Sequence, residues 1–483
     1  MNIPTPLSRR RFLQNSAVIA GAFAIGSARG ASPNGSVRLA VVGVHSRGMQ
    51  LVKDIVRTEG AVLVALCDAD SAVLDEKVAQ VETDHGIKTD KELNYRKLLE
   101  RGDIDAVVLA TPNHQHAIQT IWACEAGKDV YVEKPVCHTI WEGRQMVAAA
   151  KKYNRIVQPG FQNRSDVGLR EAFDWIKAGN IGDITMVRGL CYKSRESIGK
   201  LDAPAAPPPT VNYDEWLGPA ADEPLYRPKF HYDWHWSWNT GNGDFGNQGP
   251  HELDLMRWIL DEPDHPLAVQ SHGSRFGWHD AGETPNMMIT QFDWGGVPAL
   301  FETRDLWINP RTNARANYKG KRVGIIVTCE DGEFRGGRGG GIVYHGKERG
   351  QQFNGDGGFD HMPAFIRAVN SRRESDLACS LETGFRSSAL AHWGNISVKA
   401  GTPSPVSDVK AAMGSNDHMQ ETYDRFAQHL DAWEIDREKE RWTLGANLSI
   451  DAKKERFTGS GANQANAFLH REDRKGYEIP HLA

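Results

Sequence analysis

The sequence predicts an α/β protein: an N-terminal doubly wound parallel sheet, then a second domain rich in strands. Three observations carry this reading. From Val37 to about Pro159, short apolar runs alternate with helix-spaced patterns, as in successive strand–helix–strand units. The first run, Val37–Val42, meets Gly43 and Gly48 before Met49, Leu51, Val52, Ile55 and Val56 recur at helical spacing. Beyond residue 265 the runs Leu267–Ser271, Met287–Phe292, Ala299–Glu302 and Val323–Val327 are strand-like and separated by turns. A chain of 483 residues suits two or three domains.

Residues 1–31 read as a leader. Ser8-Arg9-Arg10-Arg11-Phe12-Leu13, an apolar stretch from Ala17 to Ile25 and small residues up to Ala31 resemble a twin-arginine export signal. The apolar stretch is too short to span a bilayer, and no nearby cysteine supplies a lipid anchor. The resemblance implies export by the twin-arginine machinery, in the folded state, to a periplasmic or other exported location. Losing Arg9, Arg10, Arg11 and Arg29 makes the net charge of −5 more negative still, against nucleic-acid or anionic membrane partners. The six cysteines show no C-x-x-C spacing. Thiols are expected, not a disulfide framework.

The glycine turn after the first strand opens directly into a helix, which collects backbone N–H groups and a helix N-terminus at one point. Such a point suits a dinucleotide pyrophosphate. The spacing is G-x-x-x-x-G through His45, Ser46, Arg47 and Gly48, with His45 where a second glycine usually stands. A second strand, Ala61–Cys67, ends in Asp68, about 20 residues beyond Gly48. A carboxylate there accepts both ribose hydroxyls and repels a 2′-phosphate, which favours NAD over NADP. Ser71 and Lys77 argue weakly the other way, and a helix cap is the alternative use of Asp68. Ile104–Ala110 is a further strand, followed by Thr111-Pro112-Asn113-His114-Gln115-His116 and a helix to Ala126. Lys128–Val132 precedes Glu133-Lys134-Pro135, and Ile156–Gln162 is the last strand of the sheet.

A glycine turn, an acid after the second strand, T-P-N-x-x-H and E-K-P in this order resemble the glucose–fructose oxidoreductase / inositol dehydrogenase (Gfo/Idh/MocA) family. The resemblance implies a Rossmann domain over 37–160 and, over 161–400, a substrate and oligomerisation α/β domain on an open, mainly antiparallel sheet. In that family Thr111, Pro112, Asn113 and His116 line the nicotinamide-side ribose, Glu133 holds a ribose hydroxyl, and the proline turn aims Lys134 at the substrate carbon. Gln162 is a further expected cofactor contact. Without the resemblance, Lys134 is one cation at a strand end.

In the second domain Arg164 is a candidate grip on substrate hydroxyls or one half of an ion pair. Ala203–Pro209 is a stiff connector. Trp234, Trp236 and Trp238 recur at period two, so an extended segment places them on one face. Indole faces suit sugar C–H faces, and the same row also fits core or dimer-interface aromatics. The stretch Gly241–His251 resembles the family's G-G-G-x-x-x-D-x-G-x-H, which implies His251 as catalytic partner of Lys134. Asn247 stands at the Asp position, and an amide cannot accept a proton from a hydroxyl; Asp244 is a possible substitute. His251 and Asp254 share a helix face, but no further ligands signal a metal. Residues 401–483 read as a C-terminal extension that packs on the fold. The expected function is oxidation of a carbohydrate or polyol hydroxyl with tightly bound NAD, in a homo-oligomer (dimer or tetramer). Asn247 leaves room for an NAD-dependent glycoside hydrolase or a non-catalytic sugar-binding protein.

Overall fold

A computed structural model describes residues 35–414, 417–437, 439–440 and 442–483; the expected leader, residues 1–31, lies outside them. Strands β1 (Val37–Val42), β2 (Ala61–Cys67), β3 (Asp90–Glu92), β4 (Ala106–Leu109), β5 (Asp129–Val132) and β6 (Val157–Pro159) form a wholly parallel sheet of order β3-β2-β1-β4-β5-β6. Alternate residues serve its two faces. Val42, Val107, Val130 and Val132 join one core, and Leu39, Val41, Val108 and Tyr131 join the other. Strands buried on both sides have no use for polar positions, which is why these runs are continuously apolar. The helix Arg47–Val56 buries Met49, Leu51, Val52 and Ile55 on one stripe. Helix Ile140–Lys152 starts from a capping box of Thr139 and Glu142.

Strands β7 (Ile184–Cys191), β8 (Ala268–Ser274), β9 (Met287–Asp293), β10 (Ala299–Arg304), β11 (Val323–Cys329), β12 (Glu333–Gly337), β13 (Gly340–His345) and β14 (Glu348–Asn354) belong to the second sheet. With β15 (Thr402–Ser404) and β16 (Trp442–Leu444) its order is β14-β13-β12-β11-β7-β10-β9-β8-β16-β15. Among the described residues, only the β7–β10 pair of this sheet is parallel. On one face Leu253, Met256 and Ile259 of helix Gly249–Ile259 meet Phe301, Ile325 and Val327.

Two expectations on domain extent change. The boundary at residue 400 has no counterpart, because β15 and β16 extend the second sheet and β17 (Leu448–Asp451) pairs with β8 and β18 (Arg456–Thr458). Helix Asp417–Ala432 covers the sheet's other face, where Met419, Tyr423, Phe426 and Leu430 meet Met186, Ile289 and Leu300. Residues 471–482 run back to the first domain, with Arg471 on Glu142 (3.0 Å) and the Leu482 N–H on Gln145 (2.6 Å). Helix His361–Ser371 also returns there, and Phe365 packs edge-on against Tyr131. Neither return is visible to local periodicity, since both depend on partners far along the chain.

Candidate active site

A cleft of about 320 Å³ opens at the C-terminal ends of β1, β2, β4, β5 and β6, facing loops of the second domain. This is where a doubly wound sheet binds ligands. Gly43 has φ of +81°, and a Cβ on it would lie 2.8 Å from the Ala110 carbonyl and the Thr111 nitrogen. Gly48 sits behind the turn in the first helical turn, where a Cβ would come within 2.1 Å of the Gly43 oxygen. The turn folds tightly over itself, so neither position admits a side chain. Ser46 precedes the helix without a side-chain cap bond. That leaves the N-terminus open to the cleft, as an anionic pyrophosphate requires.

Asp68 is not the helix cap; Asp70 is, accepting from the Ala72 N–H at 3.0 Å. Asp68 lines the cleft and accepts from the N–H groups of Val44 (2.8 Å) and Asp70 (3.0 Å). Burial pushes its carboxyl up, and the two donors oppose the rise. The residues that argued for NADP are engaged elsewhere. Ser71 Oγ donates to the Thr210 carbonyl (3.1 Å), and Lys77 pairs with Glu76 (2.6 Å). Glycines that no side chain can replace, an uncapped helix start and an acid at the ribose position fit a dinucleotide without a 2′-phosphate.

Thr111, Pro112, Asn113 and His116 line the next part of the cleft. Asn113 and His116 belong to helix Asn113–Glu125, which begins four residues before the expected start, directly after Pro112. His116 bridges the Pro135 carbonyl (2.7 Å) and the Thr111 carbonyl (2.8 Å), so it ties the two strand-end loops together. Asn113 Nδ2 donates to Asn242 Oδ1 at 3.0 Å, reaching across to the second domain. Arg47 Nε (2.8 Å) and Gln162 Nε2 (3.0 Å) both donate to Glu133 Oε1. Burial raises the Glu133 carboxyl, but Arg47 and Lys134 outweigh it and hold it below its ordinary value.

At the end of β5 the Lys134–Pro135 peptide is cis. Lys134 Nζ donates to the Asn247 main-chain oxygen at 2.8 Å. Burial lowers the lysine below its ordinary value, against the pull of Glu133. His251 is half-buried in the cleft wall, and its buried Nδ1 has no hydrogen-bond partner among the described residues. Burial, reinforced by the charge of Lys134, holds the imidazole well below its ordinary value and therefore neutral. A half-buried amine and a neutral imidazole with a free ring nitrogen thus lie at one end of the cleft.

Four expected contacts are corrected. Asp244 is not a free base: it is wholly buried and held by Arg195 Nε (2.6 Å) and Nη2 (2.8 Å). Arg195 outweighs burial and pulls that carboxyl down to about 2, while burial and Asp244 push neighbouring Asp305 well up. Asn247 donates its amide to Asp244 Oδ1 at 3.0 Å and itself lines the cleft. Arg164 holds no substrate; it is buried and forked onto Asp254 (2.8–3.0 Å), with Glu262 at 2.6 Å. Asp254 is thereby occupied, and no metal-binding cluster exists among the described residues. The tryptophan row is not extended, because Asp233–Trp236 is a 3₁₀ turn that breaks the period of two. Trp234 reaches the cleft, stacked on His235 at 3.6 Å. Trp236 is buried beneath Arg195, and Trp238 lies beside Lys399; neither lines the cleft.

Sequence reasoning missed Trp216, His231, Tyr232 and Arg338, which all line the cleft. His231 stacks on His45 (centroids 4.8 Å apart) and bonds Asp70 at 2.9 Å. The chain from Thr210 to His231 is thereby strapped over the first domain, with Ser71 N–H on Thr210 O (2.9 Å) and Asn212 N–H on Ala69 O (2.8 Å). The glycine run Gly336–Gly341 around Arg338 is visible in the sequence but names no ligand.

A dinucleotide cleft at a doubly wound edge, closed by an antiparallel second domain, defines a two-domain class of nicotinamide-dependent proteins. The model of the oxidoreductase family, NAD-binding Rossmann fold, matches residues 37–161, and the GFO/IDH/MocA C-terminal domain model matches 215–335. Together they take in just over half of the chain, which belongs to the Gfo/Idh/MocA oxidoreductase family. A Glycosyl hydrolase family 109 protein of Shewanella sp. (strain W3-18-1) is 38% identical over 120 residues. That match covers 24% of this chain and 26% of the relative. The WlbA dehydrogenase of Bordetella pertussis, solved with NADH and UDP-GlcNAcA, shares the fold at TM-score 0.55 and 19% identity. The likeness covers 74% of this chain and 95% of that one. GenD2 from gentamicin A biosynthesis, solved with NAD, is similar at TM-score 0.55 and 17% identity, over 74% and 93%.

Proposed function

We propose that this protein oxidises a hydroxyl-bearing carbon of a carbohydrate or polyol with a tightly held NAD. The pairing of Lys134 with His251 carries the reading. Bound at the glycine turn and Asp68, NAD supplies the hydride acceptor. Oxidising a carbinol also requires removal of its O–H proton, and a base whose pKa lies near the working pH does this best. Burial brings Lys134 down toward that range and keeps His251 unprotonated. Asn247 does no proton transfer; its main-chain oxygen steadies the Lys134 ammonium. The strap from Thr210 to His231 supports slow cofactor exchange. Export by the twin-arginine pathway, a periplasmic location and homo-oligomerisation belong to the same reading, because an exported enzyme without a free NAD pool must carry its own. Denaturing the purified protein releases stoichiometric nicotinamide if this is right; release of none ends the proposal.

A second reading has its own support in the Glycosyl hydrolase family 109 relative. Oxidation at C3 of a glycoside acidifies the C2 hydrogen, a base removes it, and the group at C1 leaves. Water then adds and C3 is reduced again, with no net redox change. This route breaks the two-carboxylate rule of glycosidases, and the cleft offers no spare carboxylate at Asn247. In deuterated water, deuterium at C2 of the released sugar selects this route. An oxidised product without it selects dehydrogenation, and no redox response to any sugar leaves a binding protein.

A further inference from the structure

Arg338 stands alone in the run Gly336-Gly337-Arg338-Gly339-Gly340-Gly341, between β12 and β13. It is exposed and lines the cleft. The glycines are what bring it there. Gly340 has φ of +95°, and a Cβ on it would meet the Phe353 oxygen at 2.1 Å. Gly358, with φ of +83°, would meet the Gln162 oxygen at the same distance. One buried carboxylate then clamps both loops: Asp166 Oδ2 accepts from the N–H groups of Gly339 and Gly357, each at 2.8 Å. The arginine itself donates only Nε, to the Gly357 carbonyl at 3.0 Å. Its two terminal nitrogens have no partner among the described residues, and it forms no ion pair there. A clamped backbone presenting an unspent guanidinium is a prepared recognition group.

The charge around it points to what it recognises. Arg338 Nε bonds the Gly357 carbonyl, and the adjoining Gly358 packs on the Gln162 carbonyl. Gln162 donates to Glu133, next to Lys134, so Arg338 lines the Lys134–His251 end of the cleft. Arg47 and Lys134 lie there too, and the buried Arg47 Nη2 has no partner among the described residues. Among the described residues, the carboxylate that lines the cleft at that end, Glu133, is already held by Arg47 and Gln162. The other acids of the cleft are also engaged, Asp68 by two backbone N–H groups and Glu215 by Asn94 (2.7 Å). In a chain of net charge −5, this is a local cationic pocket.

Resting on the oxidoreductase reading of the same cleft, we propose that Arg338 selects sugars carrying an anionic substituent, a carboxylate or a phosphate. Its terminal N–H groups pair with that anion while the reacting hydroxyl lies at Lys134 and His251. The test uses protein purified with its cofactor, and the quenching of cleft tryptophans Trp216 and Trp234 as the binding signal. Probes are the methyl glycosides of glucose and galactose, the corresponding methyl uronides, and the two sugar 6-phosphates. The parent protein binds a charged probe at least about tenfold more tightly than its neutral counterpart, and added salt narrows the gap. Which charged probe wins tells carboxylate from phosphate. Arg338→Gln removes the preference, Arg338→Lys restores part of it, and nicotinamide content is the same in all three proteins. Equal or undetectable binding of charged and neutral probes overturns the proposal. So does a preference that survives in Arg338→Gln, or a fall in nicotinamide content, which would put the arginine on the cofactor phosphates. Cofactor absorbance recorded in the same titrations is a separate matter. Charge-selective binding without reduction sinks the oxidoreductase reading and leaves Arg338 in place.

Discussion

The two walls of the cleft are built by opposite means. The first-domain wall consists of the ends of parallel strands, where the ladder fixes the backbone and each loop has little choice of path. Gly43, Asp68, Glu133 and Lys134 follow the last residues of their strands. The second-domain wall is made of loops whose positions depend on side-chain pairs: Arg195 with Asp244 and Tyr232, Asp166 with Gly339 and Gly357, His231 with Asp70. Chemistry that must be placed accurately is safest on strand ends. Selectivity is easier to vary on loops, since a loop tolerates change that a ladder does not.

If that division holds, the largest effect comes from the strand wall. Lys134→Met retains its NAD, by the nicotinamide released on denaturation, while turnover falls by roughly a hundredfold or more; unchanged turnover would remove Lys134 from the chemistry. The loop wall breaks differently. Asp244→Asn strands Arg195, whose side chain is 18% exposed, without its carboxylate. We expect a loss of about 3–5 kcal/mol in denaturant unfolding, larger than any effect on cofactor content.

A finer test separates Asp305 from Asp244. Asp305 is pushed well up by burial and by Asp244, so the folded state keeps a proton there that the unfolded carboxyl loses near about pH 4. A raised acid costs stability as pH climbs above its unfolded value. Asp305→Asn removes this cost. The unfolding free energy of the variant relative to the parent should therefore improve by about 1 kcal/mol or more between mildly acid and mildly alkaline buffer. A flat or opposite trend would mean that the carboxyl ionises when folded. The smallest effect belongs to Trp238→Phe. Because Trp238 lies outside the cleft beside Lys399, KM and kcat should stay within about twofold, whereas Trp234→Ala should raise KM.

The contrast also explains what could be read from the chain. The strand wall was legible because its signals are local: an apolar run, a glycine, an acid or an E-K-P at the run's end. The loop wall was not, because a buried arginine and a free one look alike in sequence. Arg164 offered itself as a substrate grip and proved saturated by Asp254 and Glu262; Arg338 carried no signal of its own and proved unspent. Partner saturation separates them, and it is set by residues such as Asp254 and Asp166 far away along the chain. The tryptophan row failed for a related reason, since period two is informative only if the backbone is extended.

All six cysteines are buried and unpaired. Burial raises every one of their thiols, Cys329 to about 11 and Cys124 to about 12. The thiolate is the form that oxidises or exchanges, and these side chains offer almost none of it at neutral pH. The folded chain therefore keeps one covalent form in reducing and in oxidising surroundings alike.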